Sequence, residues 1–231
     1  MTSEFKSKKG GLHVFALHIG PQLLKWQWDA LIVNLPYEER TRILKYKHWQ
    51  DRQRALLGNV LVRWVIRKFT DVPHVQFARN EVGRPYLAGN DSWYGDFNLS
   101  HAGEWIVVAL TNQGNVGVDV EKISKLNKDI MVYALSEAEM KAIHQKSKKD
   151  QTNFFYELWT MKEAIYKTGL FPNATPQLLD TISLKDKRKD IYTQLFYVDR
   201  EHPVSICSNR KQLAAKLIVL DRDEFFNTSI C

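Results

Sequence analysis

The sequence predicts an α+β fold built as a pair of related lobes, each running strand, helices, then strands, and meeting near residue 114. Two observations carry that prediction. Helical apolar spacing fills Tyr37–Phe69 and Phe154–Thr168, and each stretch is followed by short apolar runs separated by Gly-, Asn- and Pro-containing turns. No segment repeats at a fixed period, which argues against a solenoid. With 231 residues and 44% apolar content, the chain has enough material for a sizeable core and is not disordered. The expected division is 1–113 and 114–231, with the C-terminal tail in the second lobe.

Taken in order, Leu12–Ile19 reads as a first strand. The basic Met1–Lys9 before it mimics a signal peptide, but His13 and His18 interrupt the apolar run and no A-x-A cleavage site follows. In Tyr37–Phe69, residues Leu56, Leu57, Val60, Leu61, Trp64 and Val65 share a face, and Gly58 or the bulky Lys47–Gln50 patch is expected to kink or split the helix. Asn80–Tyr86 is turn chemistry around Gly83 and Pro85. A second turn cluster, Ala88–Asp96, leads into strands at Phe97–His101 and Trp105–Leu110, and Asn112–Asn115 turns the chain into Val116–Lys122. Ser136 and Glu139 fit a capping box, Lys146–Asp150 reads as a charged, mobile break, and Gly169 and Pro172 end the second helix. Ile191–Tyr197, Val204–Cys207 and Leu213–Val219 read as strands of a final sheet.

Thirty-three Lys and Arg against 26 Asp and Glu leave a net charge of +7, a field that attracts an anionic partner. Cys207 and Cys231 allow at most one disulfide and form no zinc-type cluster, so a reducing cytoplasm is expected. No apolar stretch approaches the roughly 20 residues that span a bilayer, so no membrane association is expected.

The sharpest chemical feature is Val116–Glu121. Alternation along a strand puts three valines on one face and Gly117, Asp119 and Glu121 on the other. Two like charges side by side are either solvated or held by a cation between them. Glu163 and Lys167, four apart, share a helical face that also carries aromatic residues. If that helix packs on the Asp119 strand, Glu163 adds a third carboxylate, and an all-oxygen site points to magnesium, with Mn2+ as its substitute. Arg42, Arg54, Arg84, His101 and Lys167 are then candidates to hold phosphate oxygens. The chemistry implied is phosphoryl transfer, with Glu163 or a bound water accepting the nucleophile's proton and Lys167 neutralising the bridging oxygens. Hydrolysis by a magnesium-dependent nuclease or phosphatase fits the same residues. A basic nucleic-acid-binding module, drawing on seven Trp, is the non-enzymatic alternative.

These residues resemble the Sfp-type 4′-phosphopantetheinyl transferase family. Gly117–Glu121 is similar to its G-(V/I)-D-(V/I)-E signature, and Trp159–Ala164 to W-x-x-K-E-(A/S). Phe97–His101 is similar to F-N-(I/L/V)-S-H, Gly83–Pro85 to G-(K/R)-P, and Arg54–Gly58 to a stretch of the first lobe. Order and spacing agree from about residue 36 to 170.

The resemblance implies a monomeric pseudo-dimer of two α+β lobes with coenzyme A in the cleft between them, its 3′-phosphate and adenine on the 1–113 side and magnesium and pyrophosphate on the other. It implies transfer of phosphopantetheine to a serine of an apo acyl or peptidyl carrier protein, releasing adenosine 3′,5′-bisphosphate, with no nucleic acid as partner. Asp119, Glu121 and Glu163 would ligate magnesium, Glu163 would also be the base, and Lys167 would touch the pyrophosphate. Ser100, His101, Arg84, Arg42 and Arg54 would surround the 3′-phosphate and adenosine, with the backbone at Glu81 and Val82 on the adenine. The chain departs from the pattern at Glu39, where a basic residue is common, and at Ala55, where a hydroxyl residue is common, so two implied 3′-phosphate contacts drop out; Ala102 replaces a common Ser. The positive charge would steer the enzyme to acidic carriers. Leu126, Ile130, Met131, Tyr133 and Leu135 in Ile123–Met140 are read as either core or an apolar docking patch.

Overall fold

The structure is a computed structural model describing residues 11–72, 74–89, 93–211 and 216–229; Met1–Lys9 and Cys231 lie outside the described residues. The chain runs β1 (Leu12–His18), α1 (Lys25–Ile32), α2 (Tyr37–Leu44), α3 (Trp49–Phe69), β2 (Phe77–Arg79), β3 (Pro85–Leu87), β4 (Asp96–Ala102), β5 (Trp105–Thr111) and β6 (Val116–Val120). It continues with α4 (Lys128–Ala134), α5 (Glu137–His144), α6 (Lys148–Lys167), α7 (Thr181–Lys187), β7 (Tyr192–Asp199), β8 (His202–Ser208), β9 (Leu217–Val219) and α8 (Arg222–Ser229).

Two sheets dominate, ordered β4-β5-β1-β9 and β6-β8-β7, with β2 and β3 forming a small hairpin. Val14, Phe15, Ala16 and Leu17 of β1 are all fully buried because both of its faces are covered. Phe15 and Leu17, with Ile106, Val108 and Leu110 of β5, pack under α3 residues Leu56, Leu57, Leu61 and Val65. Val14, Ala16, Val107 and Ala109 face the other way, against Val116, Val118 and Val120 of β6 and Val204 and Ile206 of β8. Helix α6 covers the far side of the second sheet through Ala164 and Ile165, which meet Cys207. The valine face expected of the β6 segment is therefore the seam between the sheets.

Several sequence expectations are corrected. The first long helix is split at Lys45–His48, overlapping the expected Lys47–Gln50 patch, and runs unbroken through Gly58. Gly58 serves close packing instead, since a Cβ there would lie 3.3 Å from the Leu99 side chain. The break expected at Lys146–Asp150 falls earlier and is shorter, at 145–147: the Ser147 hydroxyl accepts from the Asp150 N–H and caps α6, whose first turn is Lys148–Asp150. The strand expected in the last sheet, β9, pairs in parallel with β1, and Phe225 and Phe226 of α8 enter the α3 core. The C-terminal tail, expected in the second lobe, thus packs with the first sheet. α1, α4, α7 and α8 were not anticipated; α4 lies within the Ile123–Met140 segment, with Met131 and Leu135 buried but Ile130 and Tyr133 exposed. The Ser136–Glu139 capping box forms as expected. Cys207 is a buried free thiol, pushed up to about 12 by burial. Among the described residues no helix is long and apolar enough to cross a membrane.

Candidate active site

The seam between β4 and β6 is closed by side chains. Asp96, Asn98 and Ser100 alternate along β4 and so share one face. Asp96 accepts from the Val116 N–H at 2.9 Å, Asn98 accepts from the Val118 N–H at 3.0 Å, and the Ser100 hydroxyl donates to Asp119 Oδ1 at 2.9 Å. The first two bonds satisfy β6 backbone N–H groups at the buried seam, and the third fixes the Asp119 carboxylate. Two residues of the F-N-L-S-H segment are accounted for by this stitching.

Helix α6 then lies on β6 at unusually short range. A Cβ on Gly117 would fall 2.0 Å from the Ala164 carbonyl oxygen and 2.9 Å from the Thr168 nitrogen, so only glycine admits the helix backbone. The space that Gly117 leaves beside the carboxylates is filled by α6 itself. Glu163 and Lys167, one turn apart, thereby face Asp119 and Glu121 in a cleft of about 490 Å³. Lys167 donates to Asp119 Oδ1 and, at 3.1 Å, to the Ser100 hydroxyl. Trp159 donates its indole N–H to Glu121 at 3.1 Å.

The electrostatics are those of a crowded acid cluster. Asp119 is 3% exposed, and burial pushes its carboxyl up against the opposing pull of Lys167. Burial, then repulsion from Asp119, raises Glu121 to about 7. Burial and Asp119 raise Glu163, with Lys167 acting in the other sense. Asp119 Oδ2 is buried without any hydrogen-bond partner. Among the described residues no closed group of three His, Cys, Asp or Glu ligands is formed. Nevertheless, an unpartnered carboxylate oxygen beside two carboxyls raised by Asp119, with oxygen the only donor type, is a set that a hard divalent cation suits.

The opposite wall of the cleft is basic, with Arg42 from α2, Arg54 from α3, Arg79 from β2, and His101 from β4. Enclosure in the cleft, then the charge of Arg54, holds His101 below the ordinary imidazole range. Partial burial and Arg42 lower Arg79, a residue that sequence reasoning missed although it stands four positions before Gly83. Arg54 is oriented by Asp51 and by the Gly103 carbonyl at 2.7 Å.

Not every expected residue reaches the cleft. Arg84 does not line it: its guanidinium bonds Asp96 at 2.7 Å, the Val116 carbonyl at 3.0 Å and the Lys167 carbonyl at 3.0 Å, tying β4, β6 and the end of α6 together. Glu81 and Val82 sit on the turn between β2 and β3, where Val82 is 79% exposed, and neither lines the cleft. Lys162, inside the W-x-x-K-E segment, points away from the cleft. It is buried and bonds Glu139 at 2.6 Å and the carbonyls of Pro176 and Leu179. Its role is to anchor α6 from behind.

Comparison with known proteins agrees with this architecture. Residues 22–113 match the family model described as 4′-phosphopantetheinyl transferase, N-terminal, and residues 115–217 match that of the 4′-phosphopantetheinyl transferase superfamily. The chain is 26% identical over 227 residues to 4′-phosphopantetheinyl transferase Sfp of Bacillus subtilis (strain 168), covering 92% of this chain and 99% of the relative. It is 32% identical over 142 residues to 4′-phosphopantetheinyl transferase gsp of Aneurinibacillus migulanus, covering 61% and 58%. It is also 27% identical over 154 residues to the human L-aminoadipate-semialdehyde dehydrogenase-phosphopantetheinyl transferase, covering 61% and 50%.

Proposed function

Because this chain belongs to the 4′-phosphopantetheinyl transferase superfamily, we propose that its cleft takes coenzyme A and that its acidic end carries the transfer of phosphopantetheine to a carrier protein. The serine hydroxyl of an apo acyl or peptidyl carrier attacks the pantetheine-side phosphorus. A new P–O bond forms, the bond to the bridging oxygen breaks, and adenosine 3′,5′-bisphosphate leaves. Glu163, whose carboxyl is raised toward neutrality, takes the serine proton directly or through a bound water. Lys167 exchanges Asp119 for the pyrophosphate oxygens, while Arg42, Arg54, Ser100 and His101 hold the adenosine end. Arg79 belongs with them.

Asp119, Glu121 and Glu163 are the residues that would hold Mg2+ or Mn2+, and the unpartnered Asp119 oxygen supports that assignment. When bound, the cation would neutralise charge on the phosphates. We read the two sheet-and-helix layers as a pseudo-twofold pair dividing near residue 114, with β9 and α8 returning to the first layer, and acting as a monomer in a reducing cytoplasm, with no nucleic-acid partner. The observation that carries the functional reading is the seating of α6 on Gly117, which faces Glu163 and Lys167 toward Asp119. Intact-mass measurement of an apo carrier protein incubated with the enzyme, coenzyme A and Mg2+ tests it. A gain of one phosphopantetheine group, absent with Asp119→Ala, is expected. No gain across several acyl and peptidyl carriers would overturn it.

A further inference from the structure

Among the described residues, one acid lines the cleft at its basic end. Glu39, in the first turn of α2, lines the cleft beside Arg42 and also lines a second arm of about 540 Å³ that continues past Arg42 and Arg79 toward Tyr37 and Phe77. Its Oε1 accepts from Arg63 at 2.8 Å, and the side chains of the pair are only 11% and 8% exposed. Arg63 lies over the Phe77 ring at 4.4 Å, which fixes the pair in place. Oε2 of Glu39 is buried and has no hydrogen-bond partner. Neutralising Arg63 accounts for one oxygen of this carboxylate and leaves the other unexplained.

A carboxylate offers acceptors only, so the group that satisfies Oε2 must be a donor. A phosphate dianion is rich in acceptors and carries like charge, and Glu39 repels it at the same place where Arg42 and Arg79 attract it. A ribose hydroxyl has the required O–H and no charge. Resting on the reading above, that the adenosine end of coenzyme A occupies this wall, we propose that Glu39 is a specificity-determining residue. It accepts a hydrogen bond from a ribose hydroxyl and weakens selection for the 3′-phosphate. The enzyme therefore uses 3′-dephospho-coenzyme A, with a hydroxyl in place of that phosphate, nearly as well as coenzyme A.

The test compares kcat/KM for coenzyme A and 3′-dephospho-coenzyme A in the natural protein, Glu39→Gln and Glu39→Lys. In parallel, calorimetry measures affinities for adenosine 3′,5′-bisphosphate and adenosine 5′-monophosphate. The natural protein is expected to discriminate between each pair by about tenfold or less, with Glu39→Lys shifting the ratio toward the 3′-phosphate by about tenfold and Glu39→Gln by a smaller factor in the same direction. Glu39→Gln keeps an acceptor for Arg63, so it decides the matter if Glu39→Lys fails to fold. Discrimination of about a hundredfold in the natural protein, or ratios unchanged in folded variants, would overturn the role of Glu39. If the natural protein binds neither nucleotide, the coenzyme A reading fails and the Glu39 proposal fails with it.

Discussion

At the acidic end of the cleft, Asp119 comes from β6, Glu163 and Lys167 come from α6, and one backbone contact at Gly117 sets them against each other. At the basic end, Arg42, Arg54, Arg79 and His101 come from four separate elements. Asp51 and Glu39 balance part of their charge. The acidic end is thus set by one close backbone contact, with Lys167 as the cation that offsets part of its crowded charge, while the basic end is assembled from many pieces and partly neutralised by separate acids. Such a division suits a site where the reacting groups need fixed positions and the distal group needs only to be held.

The sharpest way to break that comparison is to remove the function of the acidic end alone. Glu163→Gln should lower the turnover number by about 10²–10⁴-fold, the range for a lost general base, while coenzyme A affinity by calorimetry changes little. Turnover within a few-fold of the natural protein would take Glu163 out of its role. Gly117→Ala attacks the close contact directly. The added methyl overlaps the Ala164 carbonyl, so the urea midpoint should fall by the equivalent of about 3 kcal/mol, as overpacking does when backbone must move. An unchanged midpoint would mean that α6 does not lie on β6 in this way.

Arg84 and Arg54 separate the two ends by kind. Arg84→Ala strands Asp96 and the Val116 and Lys167 carbonyls, and should cost about 2 kcal/mol of stability with little direct effect on nucleotide affinity. Arg54→Ala should do the reverse, weakening coenzyme A binding by about tenfold with a nearly unchanged unfolding midpoint. Equal affinity losses in the two variants would put Arg84 in the phosphate pocket after all.

A smaller effect follows from the raised carboxyls. Glu121 stands near 7 when folded against an ordinary value of 4.5, so without a cation the folded chain holds a proton that the unfolded chain has lost. Its contribution to stability is complete below about pH 4.5 and disappears as pH rises through about 7. Mg2+ should oppose this loss, raising the melting temperature more at about pH 8 than at about pH 5 because the ligands must be deprotonated. A Mg2+ effect independent of pH would separate the carboxyl shifts from cation binding.

The acidic end was legible in the sequence because its geometry is local. Alternation along β6 and an i, i+4 pair on α6 fix which side chains share a face, whereas the close approach of α6 at Gly117 came only from the structure. The basic end was legible only in part. An arginine's sequence neighbours do not reveal its acceptors, so Arg84 read as a phosphate ligand although Asp96 and two carbonyls, distant in sequence, already hold it. Arg79 carried no motif signal beyond its place before a turn. In the fold, β1 and β5 were clear from continuous apolar runs, whereas β9, a three-residue strand, gave no hint that it would return to β1. β9 leads into α8, whose Phe225 and Phe226 enter the core under α3, a long-range contact that local sequence pattern does not carry.

The most direct test of the central claim, that the three carboxylates of the acidic end act together on one hard cation, is electron paramagnetic resonance of Mn2+ titrated into the protein with coenzyme A present. One bound Mn2+ per chain is expected, lost in Asp119→Ala and weakened in Glu163→Gln. Mn2+ binding of full strength in Asp119→Ala would contradict it.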